Sequence, residues 1–376
     1  MPDSPVIIIG GGASGLSAAA ALARRGIGAL VLEQDRELGG TWARRYDRLR
    51  LHTIRRFSGL AHFPIPQRYP TYLARDDFVA YLNEYARHFR LQVLTGVAVK
   101  AVRRGEGEWV VQAAAGDAWC APVAVIATGQ YRQAVVPPWP GRELYAGRLS
   151  HSIGYSNAAP YAGQRVLVVG AGNSGAEIAT DLSENGAAFV AVSVRTRPPI
   201  VPRDPFGMPV QRTSIVLSML RPAIANRIAR TTARLVLGDL TRYGMPKGEF
   251  APYTTRRVPL IDVGFVDALK QGRVSVRPAV ERLTATGVVF ADGTTEAFDA
   301  IVSATGFSTG LESLVDVPDV LDPSREPRSA SGEPSAVPGL YFIGFVHTLR
   351  GHLFEANRAS RRLARHVDAY LAGVCA

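Results

Sequence analysis

Along the chain, one short pattern of apolar and polar positions occurs twice. The unbroken apolar run Val6-Ile7-Ile8-Ile9 stops at Gly10, and an alanine-rich stretch, 18–23, follows with Leu16 and Leu22 beside it. The second run, Val166-Leu167-Val168-Val169, stops at Gly170 in the same way. A four-residue apolar run bounded by glycine predicts a buried strand, and the small residues after it a helix that can lie close on a sheet. Between the two units, residues 43–72 are loop-rich and carry Pro64, Pro66 and Pro70, which excludes one long helix. Apolar residues at 78, 79, 82, 85, 86 and 89 predict a helix over 75–89, and the runs 95–102, 109–114 and 120–126 read as strands.

After the second unit come prolines at 198, 199, 202, 205 and 209, then one or two helices over 214–237, interrupted at Pro222. Short strands are expected at 273–277, 280–284 and 288–290, with Asp292-Gly293 as a hairpin turn. The run Ala300-Ile301-Val302-Ser303-Ala304-Thr305-Gly306 echoes Val125-Ile126-Ala127-Thr128-Gly129. These two segments flank the second unit and are expected to be two crossings between domains. A surface loop over 324–338, a strand at 339–344 and a helix over 353–371 close the chain.

The glycines that end the two apolar runs belong to G-x-G-x-x-G patterns: Gly10-Gly11-Gly12-Ala13-Ser14-Gly15 and Gly170-Ala171-Gly172-Asn173-Ser174-Gly175. A strand before and a helix after each one make these dinucleotide-binding fingerprints. The first unit continues to Glu33, 18 residues beyond Gly15, and the second to Arg195, 20 residues beyond Gly175. A carboxylate at that place hydrogen-bonds ribose hydroxyls, whereas an arginine accommodates a 2′-phosphate. The chain is therefore expected to hold two different dinucleotides, the second being NADP, and two dinucleotides in one protein suggest hydride transfer between them. The fold class is α/β, with two doubly wound Rossmann-like domains, the second inserted into the first: 1–155, 156–298 and 299–376.

Composition narrows the choices. The 376 residues suffice for two domains, and 47% are hydrophobic. The net charge of +11 comes almost wholly from arginine, since Lys100, Lys247 and Lys270 are the lysines. The arginines are scattered, with small clusters such as Arg103-Arg104, Arg256-Arg257 and Arg361-Arg362. No dense basic run with interleaved aromatics points to nucleic acid; a solvated surface that attracts phosphate-bearing cofactors accounts for the charge. Cys120 and Cys375 form neither a redox pair nor a metal site. No metal is expected. No apolar run approaches the length needed to cross a bilayer, and the first apolar run reads as a strand and turn, not a signal peptide. The expected location is the cytoplasm.

A longer segment adds specificity. Tyr145-Ala146-Gly147-Arg148-Leu149-Ser150-His151-Ser152-Ile153-Gly154-Tyr155 follows the pattern F-x-G-x-x-x-H-x-x-x-(Y/F), with Tyr for the leading Phe. With Tyr46-Asp47-Arg48-Leu49-Arg50-Leu51-His52, Leu237-Gly238-Asp239, Tyr243-Gly244 and Pro259-Leu260-Ile261-Asp262-Val263-Gly264, the chain resembles the class B flavin-dependent monooxygenases over residues 6–368. Within these it is most similar to the YUCCA-type indole-3-pyruvate monooxygenases and their bacterial relatives. Tyr155 stands where Baeyer–Villiger relatives carry Trp, and Phe307 stands where a family signature has Tyr.

The resemblance implies FAD in the first domain and NADPH in the inserted one. It assigns Gly10, Gly12, Ser14, Gly15, Glu33, Gly40, Thr41, Trp42, His52, Gly129 and Gly344 to FAD. Gly170, Gly172, Asn173, Ser174, Gly175 and Arg195 go to NADP. Arg197 or Arg203 could take the place of Arg195, and Trp42 alone would more often be a core residue. His52 and His151 are the candidate catalytic residues: His52 at the flavin edge, His151 as a base or as a packing residue of a domain hinge. His347, Arg350 and His352 follow the Gly344 strand end, where an arginine could bind an anionic substrate. The implied activity is NADPH- and O2-dependent oxygenation of a small molecule through a flavin C4a-hydroperoxide. The oxygen goes to nitrogen or sulfur, or to a 2-oxo acid with loss of CO2. The rival readings are an NADPH-dependent flavin reductase or oxidase passing electrons to a quinone or O2, a Baeyer–Villiger monooxygenase, and a non-catalytic redox sensor. The 214–237 stretch reads as a domain cap or substrate-cavity wall, or as a membrane-surface helix. A homo-oligomer is compatible with all of this.

Overall fold

The computed structural model describes residues 4–255, 258–346 and 348–374, so Arg256, Arg257, His347 and Cys375 lie outside the described residues. β1 (Val6–Ile9) turns into α1 (Ala13–Ala23) and returns as β2 (Ala29–Leu32). α2 (Gly40–Ala43) and α3 (Arg55–Ser58) are single turns in the proline-rich stretch, and α4 (Arg75–His88) follows its apolar spacing. Two tyrosines of α4 hold the proline-rich loop: Tyr81 donates to the Phe63 carbonyl at 2.7 Å and Tyr85 to the Ala61 carbonyl at 2.6 Å. β3 (Gln92–Leu94) was not marked by the apolar pattern; it is a sheet edge with two of its three residues exposed. An antiparallel meander of β4 (Val99–Arg104), β5 (Trp109–Ala113) and β6 (Ala118–Ala121) precedes β7 (Val123–Ile126). The run 120–126 is thus two elements, divided at Pro122, which has no N–H for a ladder.

β8 (Gln133–Ala134) leaves this unit, and β9 (Arg148–His151) enters the next. β10 (Arg165–Val169), α5 (Asn173–Glu184) and β11 (Phe189–Ser193) form the second nucleotide unit. β12 (Ile200–Pro202) pairs with β13 (Leu260–Asp262) across the helical pair α6 (Val210–Leu217) and α7 (Pro222–Leu237). α8 (Phe265–Lys270) and β14 (Ser275–Arg277) follow, then a second meander of β15 (Val280–Leu283), β16 (Gly287–Phe290) and β17 (Thr295–Ala297) turning at Asp292-Gly293. β18 (Ala300–Ser303), β19 (Phe307–Ser308), β20 (Leu340–Phe342) and α9 (His352–Val374) complete the chain.

The two units share one plan. The first sheet has the parallel order β20-β7-β1-β2-β3 and the second the parallel order β14-β11-β10-β18-β9. In the first, Val6 and Ile8 face α1 and α9, while Ile7 and Ile9 face Val102, Trp109 and Val111 of the meander. In the second, Val166 and Val168 face Ile178 and Leu182 of α5, while Leu167 and Val169 face Leu283, Val288 and Phe290. Helices cover one face and a meander the other, so strands buried on both faces need no polar alternation. The pairing puts β9 and β18 in the second sheet, just outside the 156–298 span, while β20 and α9 return to the first. The chain crosses between the sheets at β8 and β19, which pair antiparallel with Phe307 opposite Ala134.

The echoed segments have a structural cause. β7 and β18 lie beside β1 and β10, and each is followed by an alanine whose carbonyl faces the first glycine of a fingerprint. A Cβ on Gly10 would come within 2.6 Å of the Ala127 oxygen, and one on Gly170 within 2.5 Å of the Ala304 oxygen. Gly15 and Gly175 press against the carbonyls of Gly10 and Gly170, leaving no room for a methyl group, whereas Gly12 and Gly172 face open space. Gly175→Ala is therefore expected to lower unfolding stability by roughly 3 kcal/mol through overpacking. Gly172→Ala should change stability by less than about 1 kcal/mol while obstructing a ligand. Denaturant titration of both variants checks this; equal losses would contradict the packing argument.

Candidate functional site

Both helices that follow the fingerprints start without a cap. Neither Gly12 nor Gly172 supplies a side chain, and neither first turn carries an acidic residue. Helix N-terminal N–H groups with no protein partner, approached over an open glycine, form a site for an anion such as a pyrophosphate. The residues present therefore fit a dinucleotide in each unit.

At the first cradle Glu33 is buried at the end of β2, and its two carboxylate oxygens accept from the backbone N–H of Gly11 (2.6 Å) and of Asp35 (2.9 Å). Burial pushes its carboxyl above the ordinary value, against the pull of those two hydrogen bonds. Each oxygen keeps acceptor capacity for a ribose hydroxyl. Ser14 and Gly344 adjoin across this cradle, since a Cβ on Gly344 would come within 2.6 Å of the Ser14 hydroxyl. Gly129, at positive φ, follows β7 and opens on free space. Gly40 sits against the Asp35 carboxylate, itself held by Arg44 at 2.8 and 2.9 Å. Thr41 is exposed, and the Trp42 ring meets Phe78 edge-on at 4.7 Å, packing on α4.

At the second cradle the serine and asparagine differ. Asn173 donates to the Pro259 carbonyl at 3.0 Å and accepts from Ile261 N–H at 2.8 Å, so its amide staples α5 to β13 and keeps one N–H for a ligand. Ser174 lies against the phenol of Tyr46, which burial and the adjacent Glu177 push well above its ordinary value. Arg195 stands exposed just past β11 and has no hydrogen-bond or ion-pair partner among the described residues. Arg203 pairs with Asp204 at 2.7 Å and lies over the Tyr72 ring, so it is already committed. Arg197 is half-buried, and its pKa is lowered by desolvation.

The two histidines do different work at the junction. His151 accepts from Ile153 N–H at Nδ1 (3.2 Å), which leaves Nε2–H to donate to the Gly306 carbonyl (3.1 Å). Burial lowers its pKa and keeps the ring neutral. With both nitrogens engaged, His151 ties the end of β9 to the crossing after β18. His52 reaches from the first unit to α5, where its Nε2 lies 2.7 Å from Glu177 Oε1. One turn further along α5, buried Asp181 accepts from the Tyr155 hydroxyl at 2.6 Å, with Arg48 3.6 Å away. Glu177 and Asp181 were not singled out from the sequence. Their signal is two acids four residues apart on a helix whose neighbours Ile178, Ala179 and Leu182 are buried.

A cavity of about 520 Å3 lies under α6 and α7. Val201, Met208, Leu217, Ile228 and Tyr253 line it, Leu349 closes it from the first unit, and Arg212 is its charged lining residue. Among the described residues the Ser214 hydroxyl is buried there without a partner in hydrogen-bond geometry, beside the Tyr253 phenol, which burial pushes up. Gln211 fastens this wall to the first unit by accepting from Ile54 N–H at 2.8 Å and donating to the Arg350 carbonyl at 2.7 Å. Arg350 itself pairs with Glu355 at 2.6 Å, so among the described residues the free cation at the cavity is Arg212. The stretch expected over 214–237 begins at Val210 and forms this wall.

The flavin-binding monooxygenase-like family pattern matches residues 3–318. Indole-3-pyruvate monooxygenase YUCCA1 of Oryza sativa subsp. japonica is 38% identical over 365 residues, covering 94% of this chain and 89% of its own. The flavin-containing monooxygenase from Stenotrophomonas maltophilia superposes with a TM-score of 0.74 at 28% identity, covering 99% of this chain and 100% of its own. Cyclohexanone monooxygenase from Rhodococcus sp. Phi1 bound to NADP+ shares the fold with a TM-score of 0.71 at 18% identity, covering 96% and 84%.

Arg195→Ala is expected to weaken NADP+ binding by about 10–100-fold, the range of one charged hydrogen bond, and to leave NAD+ binding unchanged. Titration calorimetry with both nucleotides checks this. Equal losses for the two would remove Arg195 from the 2′-phosphate.

Proposed function

The chain belongs to the flavin-binding monooxygenase-like family and is an FAD-dependent NADPH monooxygenase, and from that premise we propose that its substrate is an aryl-bearing 2-oxo acid of the indole-3-pyruvate kind. The reaction is oxidative decarboxylation: 2-oxo acid, O2, NADPH and a proton give the carboxylic acid one carbon shorter, CO2, water and NADP+. The observation that carries this reading is the apolar cavity with Arg212 at its wall, a cation without an ion-pair partner among the described residues. The relatives named for indole-3-pyruvate support it. An aromatic ring gains from apolar burial, and a carboxylate needs a partner such as a guanidinium when it leaves water. The rival reductase and oxidase readings and the Baeyer–Villiger reading are not favoured.

FAD, when bound, supplies the chemistry that accepts a hydride from NADPH and activates O2. The chain's own residues bind, orient and exclude water. The backbone N–H groups from Gly12 to Gly15, with Glu33, would hold the FAD pyrophosphate and ribose. Those from Gly172 to Gly175, with Arg195, would hold NADP. His52–Glu177, the Gln211 bonds to Ile54 and Arg350, and neutral His151 at the crossing would fix how the two cradles face each other. Arg212 would take the substrate carboxylate at the cavity mouth while Val201, Leu217 and Leu349 surround the ring and keep water out. The working location we propose is the cytoplasm; among the described residues no helix is long and apolar enough to cross a membrane.

Arg212→Ala should raise KM for indole-3-pyruvate by about 10–100-fold, the worth of one charged hydrogen bond, and leave the KM for NADPH unchanged. Steady-state oxidation of NADPH coupled to measured CO2 release checks it. If amines or sulfides are oxygenated with tight coupling and 2-oxo acids are not, the substrate assignment fails.

A further inference from the structure

From Asp204 to Asp239 the intervening chain has no acidic residue and five arginines, Arg212, Arg221, Arg227, Arg230 and Arg234. All five are exposed, and none has a carboxylate partner among the described residues. Elsewhere arginines do pair, as Arg165 and Arg277 do with Glu296. The same stretch exposes large apolar side chains: Met219 is 79% exposed, Leu235 72%, Ile224 48% and Leu220 42%.

These groups are arranged, not scattered. On α7, Ala225, Ala233 and Leu237 are buried, while Ile224, Ile228 and Leu235 recur at helical spacing on the outer side. Arg227 and Arg234 stand one residue before Ile228 and Leu235 and so flank that stripe. The apolar surface continues through Leu220 and Met219 to Val216 at the end of α6. Val216, with Phe206, both lines the cavity and is exposed, so the cavity opens on this face.

We infer that this face docks on an anionic lipid surface. An apolar stripe flanked by arginines without carboxylate partners on an amphipathic helix has the chemistry of an interfacial helix, and each basic side chain near an anionic leaflet adds to the attraction; of the five, Arg230 also donates to the Phe250 carbonyl at 2.9 Å. A second copy of this chain is a poor occupant, because a two-fold contact sets the same patch against itself and would oppose five arginines with five. The inference is independent of the substrate proposed above, although docking would turn the cavity mouth toward the bilayer.

Co-sedimentation of the FAD-loaded protein with phosphatidylglycerol-containing vesicles and with pure phosphatidylcholine vesicles tests it. Binding is expected to the anionic vesicles and to weaken with salt. Arg221→Gln with Arg227→Gln should weaken it roughly 25-fold, about five-fold for each arginine. Met219→Glu with Leu235→Glu should abolish it. Both pairs lie outside the cradles and the cavity lining, so melting temperature and NADPH oxidation without vesicles should match the unmodified protein. Three results would overturn the inference: no binding to anionic vesicles, equal binding to neutral ones, or a dimer by light scattering that Met219→Glu dissociates.

Discussion

Each nucleotide unit depends on one close approach, the start of a helix against the end of the strand before it. Gly15 meets the Gly10 carbonyl and Gly175 meets the Gly170 carbonyl at distances that a side chain would forbid. That contact aims the first turns of α1 and α5, and their unpaired N–H groups, at the space beyond the sheet. Gly10 and Gly170 must in turn accept the carbonyls of Ala127 and Ala304, which fixes where β7 and β18 end. The positive φ of both glycines belongs to the same constraint. The geometry arises twice from unrelated stretches of chain, with Cβ-to-oxygen approaches of 2.6 and 2.5 Å, so it is a property of the site and not of one turn.

Two cradles in one chain do redox chemistry only if their orientation is held. Polar groups buried between the units do this. His52 meets Glu177, and Gln211 of the second unit reaches Ile54 and Arg350 of the first. A buried polar group left without its partner costs about 1–3 kcal/mol, so each pair penalises any orientation that parts it. The neutral imidazole of His151, bonded at both nitrogens, sits beside the paired crossings β8 and β19 and stiffens the one place where the backbone passes between units.

Much of the fold was legible because it rests on local signals. Four-residue apolar runs closed by glycine, the repeated Ala-Thr-Gly ending and the helical spacing of Phe78, Leu82, Tyr85 and Ala86 are each written within a dozen residues. The edge strand β3 leaves no mark in the sequence because an exposed edge needs no apolar run, and the apolar run 120–126 is two strands because Pro122 has no N–H for a ladder. The candidate site was less legible where partners are distant in sequence. Nothing near Asn173 indicates that its amide faces Pro259 and Ile261, and nothing near His52 indicates a glutamate 125 residues away. The cavity wall was readable only as alternatives, since an apolar helix interleaved with arginines fits a wall and a surface equally until its buried face is known.

The central claim is that FAD and NADP occupy separate cradles of one chain at the same time. Calorimetric titration of NADP+ into the FAD-loaded protein, with flavin absorbance read on the same sample, tests it most directly. One NADP+ bound per chain with the flavin fully retained is expected, as is reduction of that flavin when NADPH is added without oxygen. Displacement of FAD by NADP+, or a chain that binds NADP+ but no flavin, would contradict it.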